Sequence, residues 1–326
     1  MRLIVTSLAV LVAFTNLGHA AELRLNGPFT HNNLSIYLVH GQDRLQTKYL
    51  TLSEALEQHK VVVYETSNVN QLQVENISKQ DIYIQSGEIV KGGRQDRVLK
   101  DDIILPTASG RVDITAFCVE HGRWTQRGNE PVQAFAAAPN AVASPQMKRA
   151  VKQGEQAAVW AEVAASQESL ASNLGAPVKS AASESSYQLT LEAPRVKRTA
   201  AGFQTVLGGL AAKNPDALGY VVVVNGKVTG ADVYATHELF RQLWPKLLES
   251  ASVEAMAAPS QGDRFSPPSM EDVHAAATGF GARVSEERQL NRRTNSVKAD
   301  LPQGQVFETR DSTTPSAPVH RSYVVK

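Results

Sequence analysis

The dipeptide Asn225-Gly226 stands between two apolar runs, Gly219–Val224 and Lys227–Val233. No other feature of the chain restricts its fold as much. Asn-Gly readily takes the paired positive φ angles of a tight two-residue turn, so this stretch predicts an antiparallel β-hairpin. A fold containing it needs a sheet with at least one buried face, and the rest of the chain must supply the partners.

Other short apolar runs bounded by turn residues predict strands at Ser35–His40, Val61–Thr66, Leu72–Asn76, Asp81–Gln85, Ile103–Leu105 and Val112–His121. In the last of these, alternation puts Val112, Ile114, Ala116 and Cys118 on one face and Asp113, Thr115, Phe117 and Val119 on the other. A short helix is predicted at Leu52–Gln58, and Ala134–Ser144 reads as an alanine-rich joint. Long helices follow at Pro145–Leu174 and Val196–Lys213, separated by a polar loop at Lys179–Ser186. Another helix, from Thr236 or His237 to Met256, should kink or restart at Pro245. After a linker at Ala257–Pro268, edge strands are predicted at Ala282–Gln289, Val306–Asp311 and Val319–Val325.

This order implies an α+β fold: an antiparallel, strand-rich N-terminal layer, central helices, and C-terminal strands completing the sheet. The predicted organisation is a signal peptide at 1–20, an N-terminal extension at 21–33 and a single domain at 34–326, with flexible loops near 134–144, 175–190 and 257–268. The signal peptide is read from Arg2, the apolar stretch Leu3–Phe14, and Gly18 and Ala20 before the expected cleavage point. Its apolar run is shorter than the ~20 residues a membrane-spanning helix requires. The expected product is secreted or periplasmic, without stable membrane insertion.

Composition narrows the choice of partner. Lys and Arg total 33 against 32 Asp and Glu, and removing residues 1–20 takes away Arg2 and no acid. So balanced a chain is a poor general nucleic-acid binder, because phosphate-directed binding draws on an excess of basic side chains. The single cysteine excludes an intramolecular disulfide framework. Phosphate-loop, dinucleotide-fold, nucleophile-elbow and zinc-helix signatures are absent from the sequence. No metal ligands, cofactor or oligomeric state can be read from it.

Two segments concentrate chemistry. In Gly87-Glu88-Ile-Val-Lys91-Gly92-Gly93-Arg94-Gln95-Asp96-Arg97, charged side chains and glycines crowd between two strands. Gly92 and Gly93 could let the backbone approach an anion, and Lys91, Arg94 and Arg97 could bind phosphate or carboxylate. A solvated, charged hairpin explains the same residues with less. In the second segment, Phe117-Cys118-Val119-Glu120-His121-Gly122-Arg123-Trp124, alternation makes Cys118 a buried, inert thiol rather than a nucleophile. Glu120 could border a cavity, and Arg123 and Trp124 could stack or cap the core.

These segments, together with Asn225-Gly-Lys227 and Glu238-Leu-Phe-Arg-Gln-Leu-Trp-Pro-Lys-Leu-Leu248, resemble a bacterial family of unknown function, the ADP-ribosylglycohydrolase- and rhodanese-phosphatase-associated protein domain. The resemblance runs from about Leu34 to the C-terminus. It implies that Glu88, Gly92, Gly93, Gln95, Arg97, Cys118, Glu120, Arg123 and Trp124 are the family's recurring polar positions.

Three readings follow. In the first, Glu88 and Glu120 are catalytic carboxylates, and Lys91, Gly92, Gly93, Gln95, Arg97, Arg123 and Trp124 bind an ADP-ribose-like or otherwise phosphorylated substrate. In the second, the same cluster binds an anionic small molecule or a protein partner without turnover. In the third, the charges are structural and pair internally. Convergence of Glu88 and Glu120 on one open site would separate the first from the others.

Overall fold

The computed structural model describes residues 23–130, 132–259 and 265–326. The expected signal peptide at 1–20 lies outside them. The first two strands, β1 (Arg24–His31) and β2 (Leu34–His40), form a hairpin. Arg24–His31, within the expected extension, therefore form a strand. Next come β3 (Leu50–Thr51) and α1 (Leu52–Glu57), whose first turn is closed by a Thr51–Glu54 capping box. The chain continues through β4 (Val61–Asn68), β5 (Gln71–Asn76), β6 (Ile82–Ile84), β7 (Glu88–Gly92), β8 (Arg97–Leu99), β9 (Ile103–Leu105), β10 (Gly110–Cys118) and β11 (Phe135–Val142).

The last of these corrects the alanine-rich joint. Residues 135–142 pair with β7, and the register slips between Ala137 and Val142, around Pro139. Proline is tolerated in an edge strand at such an irregularity, since no ladder donor is needed there.

The helices are α2 (Pro145–Gln153), α3 (Gln156–Leu174), α4 (Tyr187–Leu191), α5 (Pro194–Leu207) and α6 (Leu210–Lys213). The single helix predicted at Pro145–Leu174 is broken by Gly154, whose φ of 84° is left-handed and caps α2. Val196–Lys213 is likewise divided at Gly208-Gly209, and α4 begins inside the stretch expected as a loop.

The hairpin β12 (Ala217–Val224) and β13 (Lys227–Tyr234) turns at Asn225 and Gly226, with φ of 50° and 75°. Pro245 does not restart α7 (His237–Ala257), which runs through it as one helix. Its buried face of Leu239, Phe240, Leu243, Trp244, Leu247 and Leu248 offsets the lost backbone bond, at about 1.5–3 kcal/mol for each large side chain removed from water. Helix α8 (Met270–Thr278) then leads to β14 (Arg283–Gln289), β15 (Thr294–Asp300), β16 (Gly304–Asp311) and β17 (His320–Val325).

The fold is α+β. An eight-stranded antiparallel sheet has the order β1-β2-β12-β13-β17-β16-β15-β14. The remaining strands form a six-stranded sheet, β11-β7-β8-β10-β5-β4, and a three-stranded one, β3-β6-β9. Of the expected C-terminal edge strands only β14 is an edge; β16 and β17 are interior, and the unpredicted β15 separates β14 from β16. Strand β12 is buried on both sides. Tyr220, Val222 and Val224 face the core that holds α7, while Val221 and Val223 face a second core holding Val273 and Ala276 of α8. The predicted alternation in β10 is observed, with Ile114 and Ala116 in one core and Phe117 and Val119 in another. Its end, at Cys118, is therefore pinned between two packed layers.

Candidate functional site

Strands β7 and β8 form a hairpin in which Ile89 lies opposite Val98 and Val90 opposite Arg97. Gly92 and Gly93 take positive φ, 120° and 56°, and the turn closes when Gly92 N donates to Asp96 Oδ1 at 3.1 Å. Far from being a solvated loop, the segment is sealed: Asp96 and Arg97 are fully buried, and Gln95 nearly so. The end of β10 lies beside it, with Cys118 opposite Arg97 and Val119 N donating to Asp96 O.

Charges meet at this junction. Arg127 donates to both oxygens of Asp96 and reaches Glu120 Oε1 at 3.3 Å and Glu130 at 3.0 Å. Arg123 Nε lies 2.7 Å from Glu120 Oε1, and its Nη1 donates to Thr125 O at 2.6 Å. Gln95 Nε2 donates to Glu120 O, and Glu120 Oε2 accepts from Asp96 N. Burial alone would push the Glu120 carboxyl up, but hydrogen bonds from Arg123 and Ser183 hold it below its ordinary value. Ser186, the cap of α4, donates to Asp96 Oδ2 at 3.0 Å and ties that helix to the cluster. Lys91 donates to Glu192 at 2.6 Å.

Arg97 lies 3.5 Å from Glu65 and against Trp124, and Arg94 packs against the same ring, with guanidinium-to-centroid distances of 5.8 and 5.4 Å. The turn thus brings Lys91, Gly92, Gly93, Gln95, Arg97, Glu120, Arg123 and Trp124 into one neighbourhood.

Glu88 is not among them. Its carboxylate accepts from Gln85 N at 2.9 Å and from Lys246 Nζ at 3.2 Å, toward α7 and Ser53 of α1. Among the described residues Glu88 and Glu120 share no hydrogen-bond or ion-pair partner, and they are 1% and 0% exposed. They do not converge on an open site. Cys118 is buried as read from its alternation, and burial pushes its thiol up to about 11.

Asp96, Arg127, Glu130, Glu192 and Glu65 were not singled out by sequence reasoning. Asp96 lay inside the quoted segment; Arg127 sits in an aperiodic stretch that gave no signal.

A second buried network was also missed. His320 of β17 bonds through Nδ1 to Asp102 Oδ2 (2.8 Å) and through Nε2 to Asp232 Oδ1 (3.1 Å), and Lys148 of α2 lies 3.0 Å from Asp232. The discoverable signal was Asp232, a charge in the middle of the apolar strand β13.

Beside the Gly-rich turn lies an open groove of about 830 Å³, lined among others by Tyr64, Glu65, Gln71, Gln73, Arg94 and Arg111. Arg111 lies 4.1 Å above the Tyr64 ring. Among the described residues, neither Arg94 nor Arg111 is within ion-pair distance of a carboxylate, although Arg111 sits across the strand pair from Glu75.

A family model for the ARG and Rhodanese-Phosphatase-superfamily-associated Protein domain matches residues 22–322. The chain belongs to this family. In this member of the ARG and Rhodanese-Phosphatase-superfamily-associated Protein domain family, the match starts within two residues of β1 and ends inside β17, so it takes in both buried networks and the groove. No curated protein and no solved structure matches the chain. Among the described residues no three His, Cys, Asp or Glu side chains gather as metal ligands would, and no helix is long and apolar enough to cross a membrane.

Proposed function

We propose that the protein is an exported, non-catalytic binding module whose buried charge cluster is structural, and that the adjoining groove takes an anionic small molecule of the phosphorylated or ADP-ribose-like class. The observation that carries this reading is the location of unspent positive charge. Lys91, Arg97, Arg123 and Arg127 each face carboxylates of the same chain, which neutralise their charge before any ligand arrives. Arg94 and Arg111 line the groove and, among the described residues, have no such partner. Guanidinium groups suit phosphate oxygens through their planar, forked donors. Trp124, 38% exposed and packed on Arg94, offers a flat surface beside them.

The family description, which speaks of association with a rhodanese-phosphatase superfamily, suits a phosphorylated ligand, as does reading its first element as ADP-ribosylglycohydrolase. Export is supported by the layout of residues 1–20. A two-carboxylate hydrolase is disfavoured. Such chemistry places both groups against one substrate and water, whereas Glu88 and Glu120 are closed off and tied into separate networks.

The test is calorimetric titration of the protein with ADP-ribose, ADP and inorganic phosphate, with product analysis of each mixture. Binding without turnover is expected, weakened about tenfold or more by Arg94→Ala and by Arg111→Ala. Hydrolysis lost in Glu120→Gln would restore the enzyme reading. No binding of any of the three anions would sink the groove assignment.

A further inference from the structure

A separate cavity of about 390 Å³ lies between α2, α3, the C-terminal end of α7 and the tip of the β12–β13 hairpin. Two carboxylates line it, Glu162 of α3 and Glu254 of α7. Among the described residues neither makes an ion pair; the one cation that acts on both from nearby is Arg149. Glu254 Oε2 accepts from Gln146 N at 3.2 Å, and Glu162 Oε2 accepts from Gln146 Nε2 at 3.4 Å, so one residue holds the two acids on the same cavity. Hydroxyls of Ser144, Ser166, Ser169 and Thr229 add further oxygens to the lining.

A second observation points to a ligand. Tyr187 is completely buried, and among the described residues its hydroxyl closes no hydrogen bond of good geometry. Ser144 and Ser166, which line this cavity, are the side chains placed to bond that hydroxyl, and the charges of Glu254 and Glu162 on the same lining act on it. Thr229 Oγ1 is a further buried oxygen without a partner among the described residues. The site also sits at the end of a helix with no basic residue in its last turn, where the helix dipole adds negative potential. Partly buried acids in such a place favour a proton or a cation. Burial, with Glu162 adding to it, pushes the Glu254 carboxyl up to about 7.

We propose that this cavity binds a small organic ammonium ion, its charged nitrogen held between Glu162 and Glu254 and its carbon chain against Val224, Ala257 and Ala258. Two carboxylates and several hydroxyls suit the N–H donors of an ammonium group, and among the described residues no third carboxylate or imidazole joins them as a metal ligand would. The apolar wall matches an alkyl chain. Lys227, exposed at the rim, leaves the inner acids unneutralised.

The experiment is titration of the protein with 1,4-diaminobutane and n-butylammonium at about pH 8, where Glu254 is ionised, with sodium and calcium chloride as controls. Binding of at least one amine is expected. It should be weakened about tenfold by Glu254→Gln and by Glu162→Gln, fall away below about pH 7 as Glu254 takes a proton, and persist in Arg94→Ala. The last arm separates this site from the anion groove. If Glu254→Gln does not fold, Glu162→Gln and Tyr187→Phe carry the comparison. Three results would overturn the proposal: no response to either amine at millimolar concentration, undiminished binding in the foldable variants, or a response to calcium that the amines fail to reproduce.

Discussion

Arg127 grips Asp96 in a two-pronged fork, Nη1 to Oδ2 and Nη2 to Oδ1, both at 2.9 Å. The pair is buried and joins the β7–β8 turn to the loop after β10. Glu120 and Glu130 lean on the same guanidinium, so Arg127→Ala would strand several acids away from water. The expected loss is about 3–5 kcal/mol of stability, measured by urea unfolding. Arg127→Lys should recover little of it, because an ammonium cannot match the fork. A wild-type midpoint in the alanine variant would remove Arg127 from the centre of this account.

His320 governs a pH window. Burial opposes a charge on its ring, but Asp102 on one nitrogen and Asp232 on the other outweigh that and hold its pKa above the ordinary value. The group therefore contributes fully below its unfolded value of about 6.5, and the contribution is lost as pH rises through the raised folded value. The two carboxylates, held well below the usual range, contribute above about pH 3.9 and lose that only as pH falls through their depressed values. Stability should decline on the alkaline side of about pH 6.5, and His320→Gln should flatten that decline while lowering stability near pH 6 by about 3–5 kcal/mol. An unchanged alkaline slope in the variant would count against a charged ring.

Gly93 cannot carry a side chain. Its φ is +56°, and a Cβ there would run into the Phe135 ring and lie 2.9 Å from Glu65 Oε2. Gly93→Ala should cost about 1–3 kcal/mol, read as a lowered melting temperature. It should also weaken anion binding, since Arg94 N donates to the displaced Glu65 carboxylate.

Cys118 should be silent. With its thiol pushed up to about 11 and no exposed surface, it should not react with an aromatic disulfide reagent at about pH 8 until the protein is unfolded. Fast labelling of the native protein would show an opening of the β10 end absent from this structure.

What the sequence revealed was local. The Asn225-Gly226 hairpin, the β10 alternation and the short helix predicted at Leu52–Gln58 are each written in a few adjacent residues, and each formed. Strand β11 escaped because alanines and a proline carry little strand propensity, its pairing with β7 being imposed by the sheet. Strand β15 escaped because Thr294–Asp300 is largely polar and only half-buried. The Gly87–Arg97 and Cys118–Trp124 segments were correctly seen as neighbours, yet the division between them was invisible. Glu88 belongs with Lys246, and Glu120 with Arg127, because strand register and distant helices decide where each carboxylate points. Glu254 and Glu162 lie 92 positions apart in the numbering, and only the packing of α7 on α3 makes them a pair.

The place of β2 in the large sheet has a temporal side. Its two neighbours are β1, immediately before it in the chain, and β12, which follows only after both smaller sheets and six helices. Until that distant strand arrives, the β1–β2 ribbon has one open, strongly apolar flank. Closing so long a loop makes assembly slow relative to local hairpins, so the first strands made must wait, half-paired, for some of the last.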